Sequence, residues 1–490
     1  MSERRGRTVT SSMLYKLLEN GGAQCCSFLV NILLARLLTP SDYGVLAMMT
    51  LLTAVSQVFV QSGLNTALIQ KKDADEKDLS SAFYTSLAVA AALYALLFGV
   101  APWVAAFFQT PELTDALRVL ALLLPIGALT SVQQAVVARR MAFRSLMLAS
   151  LGAVALSGVV GVSMAYAGLG YWALVGQQLV NQLALGLILL ITVDWRPKRM
   201  FSLASVRALL AFGWKLFASS LLDTVYQYLR GLAVGKKYGA EALGYYNRGR
   251  QFPELLMNAI NGAIQSVMLP ALSREQDDRA RMKAMMRRSV MVGSYLVFPL
   301  MTGLALVAEP LVSLLLTDRW LPCVPYLQVF CLDYAFYPIH TANLQAINAQ
   351  GRSDVFLRLE LIKKAYGMVI LLVTVFCFDS VLAIAVGGAV STLISSFVNA
   401  APNKKLLGYS YLEQIHDLLP SLLASLAMGA AVWAVGFMPL VPFVKLLCQA
   451  ACGVLVYYAL SRLFRLESYD DLMRALRGLR RGRGEEPSHE

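Results

Sequence analysis

Residues 145–193 read SLMLASLGAVALSGVVGVSMAYAGLGYWALVGQQLVNQLALGLILLITV, and these 49 consecutive residues include no Asp, Glu, Lys or Arg. One helix of that length would measure roughly 73 Å, whereas the hydrocarbon core of a bilayer is about 30 Å thick. The stretch therefore predicts two membrane-spanning helices, with the turn at Ala167-Gly168-Leu169-Gly170. Other uncharged runs point the same way: Tyr43 to Gln70, Leu79 to Pro111, and Leu418 to Val444.

The composition of the whole chain agrees with this interpretation. Of its 490 residues, 57% are hydrophobic and 15% are charged, whereas an ordinary soluble domain is about 45–50% apolar and about 25% charged. The sequence therefore predicts an all-α integral membrane protein and disfavours a water-soluble enzyme. The seven cysteines lie in or beside apolar segments and are interpreted as small buried hydrophobes. The basic N-terminus does not show the pattern of a removable signal peptide.

Apolar segments separated by helix breakers predict about fourteen transmembrane helices. Their centres fall near residues 25, 56, 93, 126, 156, 182, 220, 255, 302, 335, 367, 390, 427 and 452. Alternate connections are rich in Lys and Arg, and the others are nearly bare, with Lys236-Lys237 and Arg319 as exceptions. The positive-inside rule then places both termini in the cytoplasm. The connection Ser273 to Arg288 and the tail Glu467 to Arg483 are predicted as amphipathic helices, the tail lying on anionic lipid.

Three short sequence matches predict an internal repeat, a common feature of transporters. They pair Tyr15–Leu18 with Trp214–Phe217, Thr39–Gly44 with Gly239–Gly244, and Gln134–Arg139 with Gln345–Gln350, at offsets of 199, 200 and 211. Six predicted helices separate the repeats, so both copies have the same orientation in the membrane. We expect two pseudo-symmetric six-helix lobes (residues 1–200 and 201–410) around a central cavity. Two additional transmembrane helices (411–465) and a basic cytoplasmic tail (466–490) follow.

Polar residues recur on one face of the predicted first helix and on the matching face of the seventh. The stripes consist of Lys16, Asn20, Gln24, Ser27 and Asn31, and, each 199 residues later, of Lys215, Ser219, Asp223, Tyr226 and Arg230. Polar and charged groups inside a bilayer are costly and usually face a cavity. All of these residues except the two serines are therefore predicted to bind the substrate. An alternative stays open, in which the lysines reach the membrane surface and the amides join helices.

Six further residues are candidates for the same cavity. They are Arg36, Arg118, Arg248, Arg250, Asp333 and His340. Arg250 and Glu254 are spaced i, i+4 on a predicted helix, so mutual pairing is at least as well supported for them. His340 lies next to Pro338 and is interpreted as a packed residue in preference to a proton relay.

The sequence contains no motif of a familiar catalytic or metal site. There is no Gly-x4-Gly-Lys-Ser/Thr, His-Glu-x2-His, Gly-x-Ser-x-Gly or Cys-x2-Cys pattern. With three histidines in the chain, neither a metal nor another cofactor is predicted. The net charge of +13 follows the predicted membrane topology, so nucleic-acid binding is not indicated. We interpret the chain as neither an ATPase nor an enzyme. The energy for its activity would then come from an ion gradient, the membrane potential or the substrate gradient.

The stretch from Asn31 to Gly44, NILLARLLTPSDYG, resembles the first-helix signature of the bacterial polysaccharide transporter family. Gly239 to Gly244, followed by Tyr245-Tyr246-Asn247-Arg248, resembles the start of that family's eighth helix. The family belongs to the superfamily of multidrug, oligosaccharidyl-lipid and polysaccharide exporters. That superfamily includes Wzx O-antigen flippases, the lipid II flippase and MATE-type exporters. The resemblance covers nearly the whole chain and is strongest to the branch serving colanic and teichuronic acid-type exopolysaccharides.

This resemblance implies a flippase of the bacterial inner membrane that works by alternating access. Its substrate would be an undecaprenyl-diphosphate-linked oligosaccharide repeat unit, moved to the periplasmic leaflet for exopolysaccharide or lipopolysaccharide biosynthesis. Membrane lipid, a coupling proton or sodium ion, and the polysaccharide polymerase machinery would be its partners. A diphosphate needs cations in a desolvated cavity, and Lys16, Lys215 and Arg230 meet that need. Tyr226 and the amides of the stripes would contact the sugars.

Three alternatives remain open from the sequence. A cation-coupled, MATE-like exporter of small molecules would favour acidic over basic cavity residues, and Asp223 alone gives it little support. A lipid II flippase would differ from the leading hypothesis in the sugar alone. A membrane glycan polymerase or ligase would require a sizeable periplasmic loop with catalytic Arg or His, and the predicted connections are too short for one.

Overall fold

The computed structural model describes residues 22–71, 73–140 and 143–482, and every regular element within these ranges is helical. The first group of helices comprises α1 (Gly22–Leu37), α2 (Pro40–Gln70), α3 (Glu76–Phe108), α4 (Leu113–Leu120), α5 (Leu123–Arg140), α6 (Phe143–Tyr166), α7 (Tyr171–Thr192) and α8 (Leu203–Arg274). The second comprises α9 (Arg279–Leu306), α10 (Ala308–Leu315), a 3-10 helix (Asp318–Cys323), α11 (Val324–Ala335), α12 (Tyr337–Ala349), α13 (Ser353–Cys377), α14 (Val381–Leu407), α15 (Tyr411–Gly436), α16 (Pro442–Leu463) and α17 (Glu467–Gly482).

The lengths and apolar character of these helices confirm a multi-pass membrane protein. Among the described residues, nine helices are long and apolar enough to cross a membrane, or ten if the bent pair Leu203–Ala211 and Gly213–Gly262 forms one span. The remaining predicted spans do not meet that criterion. The first half of α13 is charged, residues 308–349 are divided among shorter helices, and α1 is described from Gly22 onward. The count of fourteen stays a prediction.

The long uncharged stretch forms a helical hairpin, as predicted. Helix α6 ends at Tyr166 and α7 begins at Tyr171, and between them Gly168 and Gly170 adopt φ angles of 74° and 55°. These angles lie in the left-handed region, which glycine enters without the steric cost that a Cβ brings. Across the hairpin, the Asn181 amide donates a hydrogen bond of 3.2 Å to the Ser157 hydroxyl. The predicted turn is therefore confirmed.

The predicted amphipathic helix over Ser273 to Arg288 is wrong. Helix α8 continues to Arg274 and α9 begins at Arg279, where Asp278 caps the first turn by accepting hydrogen bonds of 3.0 Å from two backbone N–H groups. Met282 and Met286, near the start of α9, are completely buried. All basic residues of this segment except Arg274 thus belong to the first turns of α9, a long helix with a buried face. The predicted helix in the tail is confirmed as α17.

The order of the helices follows the sequence repeat. A long helix is followed by an eight-residue helix in both halves, first as α3 and α4 and then as α9 and α10. The third sequence match falls at the end of α5 and at the end of α12. The chain divides into two compact units, one ending at Gly244 and the other beginning at Tyr245. The lobe boundaries at residues 200 and 410 stay predictions.

The second sequence match has a direct counterpart within the first unit. Helix α2 begins at Pro40, and α8 resumes after a non-helical residue at Gly239. A Cβ built on Gly44 would lie 1.7 Å from the carbonyl oxygen of Ala240, and one built on Gly244 would lie 2.0 Å from that of Pro40. The two contacts are equivalent in the repeat, since Gly44 corresponds to Gly244 and Pro40 to Ala240, each 200 positions apart. We call this reciprocal backbone contact of residues 40–44 with residues 240–244 the glycine crossing.

Candidate functional site

The predicted stripe of the seventh helix lies on the first part of α8. A bend of 54° separates Leu203–Ala211 from the helix that starts at Gly213, and Gly239 interrupts the helix further on. All five stripe residues lie between these two breaks. Lys215 and Ser219 are exposed, whereas Asp223, Tyr226 and Arg230 are half-buried. The helical spacing places them on one face, and the face becomes more buried toward Arg230.

Arg230 is a half-buried cation next to an aromatic ring. Its guanidinium carbon lies 5.9 Å from the centre of the Tyr226 ring, one helical turn away, at the outer limit of a cation–π contact. Within the described part of the chain, the guanidinium makes neither a hydrogen bond nor an ion pair, and the same is true of the Lys215 ammonium, which lies 6.0 Å from the Trp214 ring. Asp223, between these two cations, takes part in an interaction of its own. The stripe therefore offers two cations to an anionic ligand.

The matching stripe on α1 is described in part. Gln24 is exposed, and Asn31 is half-buried with its amide donating a hydrogen bond of 2.9 Å to the carbonyl oxygen of Ser27. The hydroxyl of Tyr43 donates to the carbonyl oxygen of Asn31 at 3.4 Å, which joins α1 to α2. Arg36 is exposed near the end of α1. The predicted ligands Lys16 and Asn20 lie outside the described residues, and the substrate-binding role of both stripes stays a prediction.

Arg118 connects two neighbouring helices. Its guanidinium lies 4.5 Å from the centre of the Phe98 ring, its Nε donates to the carbonyl oxygen of Phe98 at 3.3 Å, and Asp115 lies 3.6 Å away. These contacts join α4 to α3. They give Arg118 a packing role, and its place in a cavity stays a prediction.

Arg248 and Arg250, which follow the glycine crossing in the chain, belong to the second unit and contact other residues of that unit. Arg250 donates to a Glu254 carboxylate oxygen at 3.1 Å and to the Tyr334 hydroxyl at 3.3 Å, so the predicted pairing with Glu254 is confirmed. Arg248 is buried, with its guanidinium carbon 4.9 Å from the centre of the Trp320 ring. Asp333 is half-buried beside Tyr334. The structure thus gathers these predicted residues around the second part of α8 and α11.

His340 is a packed residue in the second unit. Its Nδ1 lies 3.0 Å from the Asn399 amide nitrogen, and its ring packs edge-on against Tyr337 with the ring centres 5.9 Å apart. These contacts agree with the interpretation of His340 as a residue held by its neighbours.

A buried amide cluster in the second unit escaped the sequence analysis. Asn343 donates to Gln414 Oε1 at 2.8 Å and accepts from Gln414 Nε2 at 3.1 Å, while Asn403 donates to Asn343 Oδ1 at 2.8 Å. All three side chains are inaccessible to solvent. They join α12, α14 and α15. Asn399 and Asn403, one turn apart in an apolar helix, are the signal of this cluster in the sequence, and neither carries a charge.

A second missed cluster of charges surrounds Arg287 at the start of α9. Arg287 Nε donates to Asp417 Oδ2 at 3.0 Å, and Arg287 Nη2 lies 3.0 Å from Asp417 Oδ1. Toward Glu467, Nη1 donates to Oε1 at 3.2 Å and Nη2 donates to Oε2 at 3.1 Å. The planar guanidinium group commonly forms such paired contacts with carboxylates. Nearby, the Tyr409 hydroxyl donates to Asp417 at 2.7 Å, and burial, followed by this bond, raises the pKa of Tyr409. Arg287 thereby holds the first turn of α17 against α9 and α15.

Replacing Arg287 with Ala is expected to release α17. The substitution removes both paired contacts, and partly exposed ion pairs of this kind contribute roughly 1–2 kcal/mol together. Cleavage by trypsin at Arg474, within α17, should therefore accelerate about tenfold. Arg279→Ala, at an exposed position on the same helix, is the matched control. Equal cleavage rates in the two variants would show that Arg287 does not hold the tail helix.

The described ranges contain no group of three or more His, Cys, Asp and Glu side chains placed to hold a metal ion. Cations, amides and aromatic rings are among the residues that the structure does bring together. Such groups bind anions and hydroxylated ligands without a metal.

Comparison with solved structures identifies the fold of the chain. A structure of the lipid II flippase MurJ in an inward closed conformation superposes with a TM-score of 0.74, covering 94% of this chain and 100% of that one, at 16% identity. The chain is therefore a multi-pass membrane protein with the MurJ fold.

Sequence comparison identifies the family. The profile of the family described as polysaccharide biosynthesis protein matches residues 33–325. Because this match spans more than half of the chain, the protein belongs to that family.

Two relatives share a long segment of sequence with the chain. The succinoglycan biosynthesis transport protein ExoT of Rhizobium meliloti (strain 1021) is 26% identical over 327 residues, which are 67% of this chain and 66% of ExoT. The teichuronic acid biosynthesis protein TuaB of Bacillus subtilis (strain 168) is 25% identical over 308 residues, which are 62% of this chain and 63% of TuaB. The chain thus spans just under two thirds of the length of each.

Proposed function

We propose that the protein is a flippase that moves undecaprenyl-diphosphate-linked oligosaccharide repeat units from the cytoplasmic to the periplasmic leaflet by alternating access. The exported units would serve exopolysaccharide or lipopolysaccharide biosynthesis. Membership of the polysaccharide biosynthesis family supports this, as do the transport role in ExoT's name and the MurJ fold. The observation that carries the proposal is Arg230, half-buried and without an acidic partner in the described ranges.

The stripe on α8 matches the chemistry of this substrate. A diphosphate is a dense anion, and charge-assisted hydrogen bonds from Arg230 and Lys215 would replace the water that it loses in a cavity. The ring of Tyr226, next to Arg230, would lie against the first sugar. Lys16, Asn20, Gln24 and Asn31 would complete the site from α1.

The location and the partners belong to the same proposal. The basic connections support an orientation with both termini in the cytoplasm, and the protein would lie in the bacterial inner membrane. A proton or sodium ion would couple transport to a gradient, and the polymerase machinery would receive the exported unit. Asp223 keeps a cation-coupled exporter as the second candidate, and the MurJ fold is equally compatible with lipid II as cargo.

Reversing the charge of Arg230 tests this function. Arg230→Glu would place a carboxylate where the diphosphate binds. Each charge-assisted hydrogen bond lost costs about 1.5–3 kcal/mol, so transport should fall by about ten- to a hundredfold. The measurement is surface polysaccharide, together with the undecaprenyl-linked pool facing the cytoplasm, in a deletion strain carrying the variant. Arg230→Lys should retain part of the activity because it keeps the charge.

Arg207→Glu is the matched control, since Arg207 is exposed on α8 before its bend. It should support normal export at equal membrane abundance. Full export by Arg230→Glu would remove Arg230 from the site. Normal lipid-linked pools with altered drug sensitivity in the deletion strain would favour the exporter, and accumulation of a peptidoglycan precursor would favour lipid II.

A further inference from the structure

A cavity of about 480 Å³ lies at one end of the second unit. Helix α10 and the 3-10 helix line one side, and the end of α15 and the start of α16 line the other. The connection between α15 and α16 belongs to the nearly bare set, so the positive-inside rule places the cavity on the extracytoplasmic side. We refer to it as the α10–α16 cavity.

Gln449 gives this cavity an unsatisfied acceptor. Its side chain is 3% exposed, and Oε1 receives no hydrogen bond from any residue in the described ranges. Its Nε2 donates to the carbonyl oxygen of Val432 at 3.4 Å, and a Cβ on Gly436 would lie 3.3 Å from that nitrogen. A buried amide oxygen without a donor costs about 1–3 kcal/mol. A ligand that brings a donor into the cavity recovers this energy.

Charged groups of both signs line the same cavity without pairing. Glu309 is exposed and Lys445 is half-buried, and in the part of the chain that the structure describes neither side chain forms an ion pair or a hydrogen bond. Asp318 accepts a hydrogen bond from Ser313 and retains acceptor capacity on its carboxylate. Two carboxylates and one ammonium group therefore line the cavity.

Two aromatic rings complete the wall. Trp433 and Phe437 lie one turn apart on α15, with ring centres 4.6 Å apart and planes at 83°. Both side chains are largely exposed. Flat rings offer an apolar surface to the C–H face of a sugar, while nearby carboxylates and amides accept hydrogen bonds from its hydroxyl groups. A phospholipid phosphate would instead require several cations, and Lys445 is the one cation among the lining residues.

We propose that the α10–α16 cavity is a second binding site for a sugar residue of the glycan, on the extracytoplasmic side. The proposal rests on the proposed function for the identity of that glycan. Gln449 and Glu309 accept hydrogen bonds from sugar hydroxyls, Lys445 donates one, and Trp433 packs against the ring. A site there holds the oligosaccharide after translocation and disfavours its return to the α8 stripe.

Binding of a released oligosaccharide to the purified full-length protein tests the site. The probe is the oligosaccharide freed by mild acid from the host's undecaprenyl-linked pool, measured by calorimetry in nanodiscs. We expect saturable binding that weakens at least tenfold in Gln449→Leu and in Trp433→Leu. Gln449→Glu, which keeps an acceptor, should stay within a few-fold of the unchanged protein. Trp103→Leu, at an exposed tryptophan of the first unit, is the matched control and should bind normally.

Three outcomes overturn the site. The first is the absence of saturable oligosaccharide binding, and the second is equal affinity of Gln449→Leu and the unchanged protein for the oligosaccharide. The third is Gln449-dependent binding of dioctanoyl phosphatidylethanolamine without binding of the oligosaccharide. That result would identify the cavity as a site for a lipid headgroup. Gln449→Leu removes an unsatisfied polar group, so it should remain folded. Normal surface polysaccharide in the deletion strain would refute the flippase function. Absence of saturable oligosaccharide binding by the unchanged protein, with the Arg230 dependence of export intact, would refute this site alone.

Discussion

A single methyl group at Gly44 or at Gly244 is expected to reduce the proposed glycan export strongly. The Cβ of Ala would lie 1.7 Å from the Ala240 carbonyl oxygen in one variant and 2.0 Å from the Pro40 carbonyl oxygen in the other. Because the obstructing atoms belong to the backbone of helix starts, the two segments would have to separate by roughly 1–2 Å. Overpacking without such an escape costs about 1–3 kcal/mol or more. Export and the thermal midpoint of the purified protein should both fall.

Gly99→Ala provides the matched control for the glycine crossing. Gly99 lies within α3, and a Cβ built there meets no atom within 4 Å. Alanine is favoured over glycine inside a helix, so this variant should be as stable as the unchanged protein or slightly more so. The reciprocal geometry also requires Gly44→Ala and Gly244→Ala to have similar effects. Normal export and an unchanged midpoint in both would show that the two segments are not in close contact.

Replacing Asn343 with Leu is expected to destabilise the second unit strongly. Asn343 exchanges hydrogen bonds with Gln414 and accepts one from Asn403, and all three side chains are fully buried. Leu would leave both partner amides without their hydrogen bonds in an apolar environment. Each group left unsatisfied costs about 1–3 kcal/mol, so we expect a loss of roughly 2–5 kcal/mol. Thermal unfolding in detergent measures the effect.

Ser294→Ala is the control that separates lost hydrogen bonds from lost polarity. Ser294 is also fully buried, but its hydroxyl has no hydrogen-bond partner among the described residues. Removing this hydroxyl should leave the thermal midpoint unchanged or raise it. If Asn343→Leu behaved in the same way, the amide cluster would contribute nothing to stability.

The hairpin of α6 and α7 was predictable because its signal is local. Whether a segment prefers lipid depends on its own side chains. The positive φ angles of the turn are adopted by Gly168 and Gly170 themselves, which the sequence names directly. The pairing of Arg250 with Glu254 is local in the same sense, since it joins successive turns of one helix.

The segment Ser273 to Arg288 shows where local reasoning fails. Its basic residues suggest a surface helix, but Arg287 pairs with Asp417 and Glu467, which lie 130 and 180 positions away in the chain. The charge pattern of the segment carries no information about partners so distant. Once they are in place, Met282 and Met286 on the same helix are buried in the core.

The sequence by itself determined the membrane class, the hairpin of α6 and α7 and the helical spacing of the polar residues on α8, because each depends on hydropathy or helical period. Only the tertiary structure decided the glycine crossing, the amide cluster around Asn343, the contacts of Arg287 and the α10–α16 cavity. Each of these depends on which helices become neighbours. Their energies come from close packing and from hydrogen bonds between residues remote in the chain, and one helix considered alone contains neither.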